Sequence, residues 1–180
     1  MPEATYPGCF SFDLPDPNAA IALSGSGHRN LYKLQALTGA SIVMRGLKLE
    51  ISGLCSQVEK ASALVELMRP LWQEGQLVSE VDLQAAINSI DKGKEKAHSA
   101  LGDQILARSQ RGNTLRPRTL RQKKYVEAME NNALTFSLGP AGTGKTFLAT
   151  VLAVRMLSAR KVERLILTRP AIEAGERLGF

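Results

Sequence analysis

The chain has 180 residues, 44% of them hydrophobic and 22% charged, a balance that excludes collagen, a disordered tail and a bundle of membrane helices. Lys and Arg outnumber Asp and Glu by 23 to 17, a net charge of +6, which suits an anionic partner such as a nucleotide or nucleic acid without identifying one. Cys9 and Cys55 are too few for a disulfide framework and show no metal-ligand spacing beside His28 and His98; with no signal-like start and no apolar run near the ~18 residues of a membrane span, a cytoplasmic protein without a membrane partner is expected.

Residues 1–20 hold four of the eight prolines, Pro2, Pro7, Pro15 and Pro17, and are expected to form an extended arm. Ile21-Ala22-Leu23 reads as a short apolar strand, and Ser24-Gly25-Ser26-Gly27 as a turn. Leu31, Leu34 and Leu37 then recur at helical spacing over Asn30–Thr38, and Gly39 stops that helix. Ser41–Arg45 and Leu47–Ser52 around Gly46 predict a hairpin. Val58, Ala61, Leu64, Val65 and Met68 mark one face of a helix that ends before Pro70. The order strand, helix, strand, strand, helix makes a small α+β unit of roughly 55 residues, near the lower limit for a self-sufficient core.

A further helix is expected from about Ser79 to Ile90, with Ser79 as N-cap and Val81, Leu83, Ala86, Ile87 and Ile90 at its apolar positions. The polar stretch 91–103 is the linker candidate. Ile105–Arg108 and Thr114–Arg116, flanking Arg111-Gly112-Asn113, predict a second hairpin. Beyond it come a helix over 119–130 capped by Thr119, a buried strand over Ala133–Leu138, a glycine loop, a helix from about Lys145 to Ala159 and a second apolar strand over Val162–Thr168. These last four elements form one βαβ unit, whose strands should be parallel and joined by a right-handed crossover. The expected division is therefore an arm at 1–20, an α+β module with following helices at 21–90, a linker at 91–103 and a second domain at 104–180.

Gly139-Pro140-Ala141-Gly142-Thr143-Gly144-Lys145-Thr146 satisfies the phosphate-binding pattern G-x-x-x-x-G-K-[ST], and it falls where that chemistry needs it, after a predicted strand and at the start of a predicted helix. Glycines let the backbone close around phosphates with its N–H groups inward, at the positive end of the helix dipole. Lys145 should reach the β- and γ-phosphates of a bound nucleotide, and the Thr146 hydroxyl should ligate Mg²⁺. The competing reading is a glycine-rich turn that binds nothing.

From Gln104 to Val126 there is no acidic residue, while Arg108, Arg111, Arg116, Arg118, Arg121, Lys123 and Lys124 are basic. Such a stripe either tracks a phosphate backbone or is a solvated face that happens to be positive. With three tyrosines, five phenylalanines and one tryptophan in the chain, a platform for stacking bases is not indicated.

On these residues the chain resembles the PhoH-like family of P-loop ATPases, whose core is similar to that of superfamily 1 helicases. The resemblance lies in Gly139–Thr146 with Phe147-Leu148-Ala149, in the block from Leu167-Thr168-Arg169-Pro170 through Glu173, Glu176 and Phe180, and in Pro117-Arg118-Thr119-Leu120-Arg121-Gln122, which is similar to a Gln-containing element of the family. It implies an α/β P-loop NTPase domain, incomplete here with about two core strands, that binds ATP and Mg²⁺ and places Gln122 at the adenine ring. An amide can donate to and accept from a base edge at once; an exposed helical glutamine is the alternative.

The same resemblance implies a K homology-like α+β module at the N-terminal side, a fold whose GXXG loop clamps RNA backbone. This sequence departs from that loop: Gly25-Ser26-Gly27-His28-Arg29-Asn30 has no second glycine at the required spacing. Phosphate contacts would then fall to Arg29 and Lys33, and a purely structural module is the equal alternative. Asp103 is the last aspartate, and beyond the loop the acids are Glu163, Glu173 and Glu176, so the family's Walker B carboxylate has no counterpart here. The expectation is a C-terminally truncated ATPase, unable to turn over ATP alone, whose parent couples hydrolysis to single-stranded RNA and is compatible with an oligomer. The rival expectation is a nucleic-acid-binding or adaptor protein that binds nucleotide without hydrolysing it.

Overall fold

Alternation decides the first sheet. Ile42, Leu49 and Ile51 are buried while Ser41, Val43, Lys48 and Ser52 between them face outward, so one face of the hairpin must be covered. In the computed structural model, which describes residues 7–109 and 112–168, strands β2 (Ser41–Arg45) and β3 (Lys48–Leu54) pair antiparallel as expected. A further strand, β1 (Pro7–Asp13), pairs antiparallel with β3 on its other side, giving the order β1-β3-β2.

That strand corrects the first expectation. The residues from Pro7 to 20 are not an arm: Pro7 opens an edge strand, where a missing N–H forfeits nothing, and Pro17 starts helix α1 (Pro17–Ser24) in its first turn, where proline's fixed φ fits. Asp16 caps α1, its Oδ1 accepting from Ala19 N at 2.8 Å. Ile21-Ala22-Leu23 is accordingly helical rather than a strand, with Ala22 and Leu23 in the core and Ile21 in solvent. Residues 1–6 lie outside the described residues.

Helix α2 (Arg29–Thr38) ends at Gly39, whose φ of 74° is the left-handed conformation a β-carbon disfavours. Helix α3 (Cys55–Leu67) buries Val58, Ala61, Leu64 and Val65, and Pro70 sits in the first turn of the short α4 (Arg69–Trp72). Trp72, 2% exposed, donates its indole N–H to Val65 O at 2.9 Å. Asn30 is buried and hydrogen-bonded on both amide protons, to Leu23 O at 3.0 Å and Val78 O at 2.9 Å, which ties α1, α2 and the segment around Val78 together.

Helix α5 (Glu80–Ile90) starts where predicted. Ser79 Oγ accepts from Asp82 N, and Asp82 Oδ2 accepts from Ser79 N at 2.8 Å and from Ser79 Oγ at 2.6 Å. Leu83, Ala86 and Ile87 are buried, but Val81 points to solvent, because it lies a full face away from them on the helix wheel.

The expected linker at 91–103 is instead folded against this core. It holds α6 (Glu95–Ser99), and His98 and Leu101 are buried; the polar run Asp91–Lys96 masked two inward-facing residues. His98 Nδ1 lies 3.0 Å from Ser89 Oγ, whose own proton goes to Ala85 O. Burial pushes the imidazole below its usual 6.5, against a weaker upward pull from the Asp82 charge. The unfolded chain therefore binds the proton first as pH falls, and stability should decline below about pH 6.5. Urea midpoints measured from pH 7.5 down to 5.5 check this, and His98→Gln should flatten the decline. An undiminished slope in that variant would show that another group carries it.

The remaining elements are β4 (Ala107–Arg108) paired with β5 (Thr114–Leu115), α7 (Leu120–Asn131) capped by Thr119, and α8 (Lys145–Ser158). Leu106, Val126 and Leu148 form a small second core with Tyr125, Met129 and Val151 against it, and the Arg155–Glu130 ion pair joins α8 to α7. The two predicted strands of the βαβ unit are absent. Residues 133–138 and 162–168 form no ladder among the described residues, and Leu138 and Ile166 are 96% and 77% exposed. Apolar composition says that a segment favours burial; a strand exists only when a neighbouring backbone pairs with it. The expectation of about two core strands is thus corrected to a mixed α/β fold with two small antiparallel sheets among the described residues. The block 169–180 lies outside the described residues.

Candidate nucleotide site

The glycine loop at 139–144 leads directly into α8, and Gly144 is that helix's N-cap with φ 84° and ψ 13°. A β-carbon there would be strained by the backbone and would also press on Gln122 Nε2 at 3.3 Å. The N–H groups of the first turn of α8 have no partner within the helix and sit at its positive end, the arrangement that attracts an anion.

Lys145 bends back over this mouth. Its ammonium donates to Gly139 O at 2.8 Å and Pro140 O at 2.6 Å, and stands 3.4 Å from Thr143 Oγ1. Thr143 Oγ1 in turn donates to Pro140 O at 3.0 Å. Gly139, Pro140, Ala141, Gly142, Thr143 and Thr146 are exposed. The loop is thus closed by one side chain of its own, accessible from outside, with a cation at its centre. Thr146 follows Lys145 in the first turn of α8, so a hydroxyl stands beside the ammonium in sequence and on an exposed position. This donor set, unpaired backbone N–H groups, one ammonium and one hydroxyl, fits a polyphosphate with a hard divalent cation.

Gln122, on the first turn of α7, is brought to the loop. Its Nε2 donates to Thr143 O at 3.2 Å, and its Oε1 accepts from Arg118 N at 2.7 Å. It is therefore not a solvated helical glutamine.

The basic stripe divides. Arg116 is buried and pairs with Glu74 at 2.6 Å, and Arg118 pairs with Asp82 at 3.0 Å. Burial raises the Glu74 carboxyl, but hydrogen bonds from Thr114 and Arg116 and the charges of Arg116 and Arg108 outweigh it and hold the group below its usual range. These two arginines join the C-terminal elements to the N-terminal core. Arg121, Lys123 and Lys124 make no ion pair with the described residues, and Arg111 lies outside them. Lys33 pairs with Glu80 at 2.6 Å. Sequence reasoning missed Glu74 and Asp82; the three-residue spacing of Ser79 and Asp82 was a signal for the second, as half of a capping box.

In comparisons with known proteins, residues 114–180 match the family described as PhoH-like protein. A PhoH-like protein of Synechocystis is 47% identical over 93% of the chain and 51% of its own length. Over most of its length the chain is similar to PhoH-like proteins. PhoH-like proteins of Mycobacterium tuberculosis and Bacillus subtilis are 41% and 35% identical, over 94% and 93% of this chain and 48% and 52% of theirs. The chain thus spans about half the length of the curated PhoH-like relatives it matches. No solved structure matches it significantly. The family is P-loop ATPase-like, in keeping with the loop before α8, and among the described residues no helix is long and apolar enough to cross a membrane.

Proposed function

We propose that this PhoH-like chain binds ATP at the 139–146 loop and that the whole protein couples ATP hydrolysis to single-stranded RNA. The observation that carries the reading is the loop itself: a glycine-built turn at the N-terminus of a 14-residue helix, with the Lys145 ammonium held at its mouth. In this reading the loop N–H groups and Lys145 hold the phosphates, the Thr146 hydroxyl ligates Mg²⁺, and Gln122 reads the adenine edge. Bound there, the magnesium ion would draw charge from the phosphates; the chain's own part is to orient them and exclude other groups from the loop.

RNA coupling draws support from two features. The N-terminal elements run β1, α1, α2, β2, β3, α3 with the strand order β1-β3-β2, which suits the K homology-like reading better than the order expected from sequence. Between α1 and α2, His28 stands three residues after Gly25 with φ 58°, the left-handed region that glycine favours. The turn thus takes a glycine-like shape without the glycine, and Arg29 follows it.

Arg116 and Arg118 are engaged internally and Arg108 stands near enough to Glu74 for its charge to lower that carboxyl, so of the described stripe the three cations Arg121, Lys123 and Lys124 remain for RNA. Affinity for a single-stranded oligonucleotide should then fall with a slope of about 2 in log K against log salt, at ~0.7 per phosphate neutralised. Titration at several salt concentrations reads this directly. Binding that is absent or indifferent to salt would favour the solvated-face reading of the stripe, whereas nucleotide binding by the whole protein with no phosphate release in the presence of RNA would favour the adaptor reading.

A further inference from the structure

One continuous set of hydrogen bonds runs from the N-terminal core to the glycine loop. Asp82, 3% exposed, is locked by both groups of Ser79 and accepts from Arg118 Nη1 at 3.0 Å, while the same Nη1 reaches Ser79 Oγ at 3.1 Å. Arg118 lies between β5 and α7, directly after Pro117, which is fully buried, and near the Arg116–Glu74 pair. Its backbone N–H donates to Gln122 Oε1, and Gln122 Nε2 donates to Thr143 O.

The two ends of the Gln122 amide are thus assigned. Oxygen faces the Arg118 N–H and nitrogen faces a loop carbonyl; a flipped amide would set donor against donor and acceptor against acceptor. Which way the amide presents its remaining lone pair and proton is therefore set by where the Arg118 backbone stands, and its guanidinium is anchored on Asp82.

We infer that Arg118 is a positioning residue of the nucleotide site: its pairing with Asp82 holds the Gln122 amide in one orientation and so sets the preference for adenine over guanine. This rests on the nucleotide-binding reading above. Adenine offers a donor and an acceptor at the edge where guanine offers an acceptor and a donor, so a fixed amide distinguishes them and a freely rotating one accepts either.

The test uses Arg118→Ala, Arg118→Lys and Gln122→Ala, all at positions outside the main core. Fluorescent ATP and GTP analogues and inorganic triphosphate are titrated against each, and amide hydrogen exchange across 139–146 is followed without nucleotide. Arg118→Ala should lower the ATP-to-GTP preference about tenfold, the worth of one hydrogen-bonded pair, to the level of Gln122→Ala, while triphosphate affinity is kept. Exchange in the loop should quicken in both variants, the double variant should be no worse than Gln122→Ala, and Arg118→Lys should restore most of the preference. A purely structural arginine would move ATP, GTP and triphosphate together. Unchanged preference and unchanged loop exchange in Arg118→Ala would overturn the inference. If the unaltered chain bound neither nucleotide nor triphosphate, the nucleotide reading would fall and the selectivity role with it, whereas triphosphate binding without any base preference would overturn the role of Arg118 and leave the loop assignment standing.

Discussion

Replacing Lys145 with alanine is expected to weaken binding of Mg·ATP on the order of 100-fold. Hydrogen bonds to a charged group are worth ~1.5–3 kcal/mol each, and every ~1.4 kcal/mol is tenfold in affinity. Lys145 carries the one ammonium at the loop's mouth, held by the carbonyls of Gly139 and Pro140. Those carbonyls are negative ends of dipoles and by themselves repel a phosphate, so the substitution both removes the attracting charge and uncovers a repelling one. The loss should fall on the phosphates: ATP and inorganic triphosphate suffer alike, unlike the base-dependent effect at Arg118. Because Lys145 is the half-buried first residue of α8 and takes no part in either core, fluorescence of Trp72 should be unaltered in the variant. Titration with a fluorescent ATP analogue decides it, and equal affinities of the two proteins would remove Lys145 from the site.

The phosphate loop was legible because its determinants are local. A glycine pattern, one lysine and two threonines lie within eight residues, and the helix they open follows at once. The caps at Ser79 and Thr119 and the stop at Gly39 were legible for the same reason. What misled were features whose meaning depends on a distant partner. Four prolines read as an arm, yet Pro7 sits on a sheet edge that exists only because β3 is beside it. Arg116 and Arg118 read as an RNA-facing stripe, and Glu74 and Asp82, 42 and 36 residues away in sequence, took them out of it. Residues 133–138 and 162–168 are apolar enough for strands, and pairing, not composition, is what they lack among the described residues. Gln122 lies between these cases: its residue type suited the base, and its contact with Thr143 across 21 residues came only with the fold.

The second large effect is expected from Leu64→Ala, which should destabilise the N-terminal core by ~2–5 kcal/mol, the transfer loss plus the cavity left behind. Leu64 is fully buried on α3, the helix that packs against β1 and β3 on one side and α5 on the other, so no single neighbour can relax into the space. Against a total stability of ~5–15 kcal/mol for a typical domain, and a urea dependence of ~1–3 kcal/mol per molar, the midpoint should move down by at least about 0.7 M. Trp72 reports it directly: it is the chain's one tryptophan, it lies in the same core, and its indole is hydrogen-bonded to Val65, the residue after Leu64. Leu148→Ala supplies the contrast. Leu148 is 3% exposed, but among the described residues its core has just Leu106 and Val126 as other buried members, with Tyr125, Met129 and Val151 partly buried against them, and the joints to the N-terminal part include the polar pairs Arg116–Glu74 and Arg118–Asp82 and the Gln76–Thr114 hydrogen bond. Polar joints of this kind transmit little of a cavity's cost across a boundary, so Leu148→Ala should loosen the helices beside the loop, seen as faster hydrogen exchange in α7 and α8, while the Trp72 transition scarcely moves. Equal shifts of the Trp72 midpoint in the two variants would mean instead that the ion pairs bind both cores into one cooperative unit, and that the loop shares the full stability of the sheet.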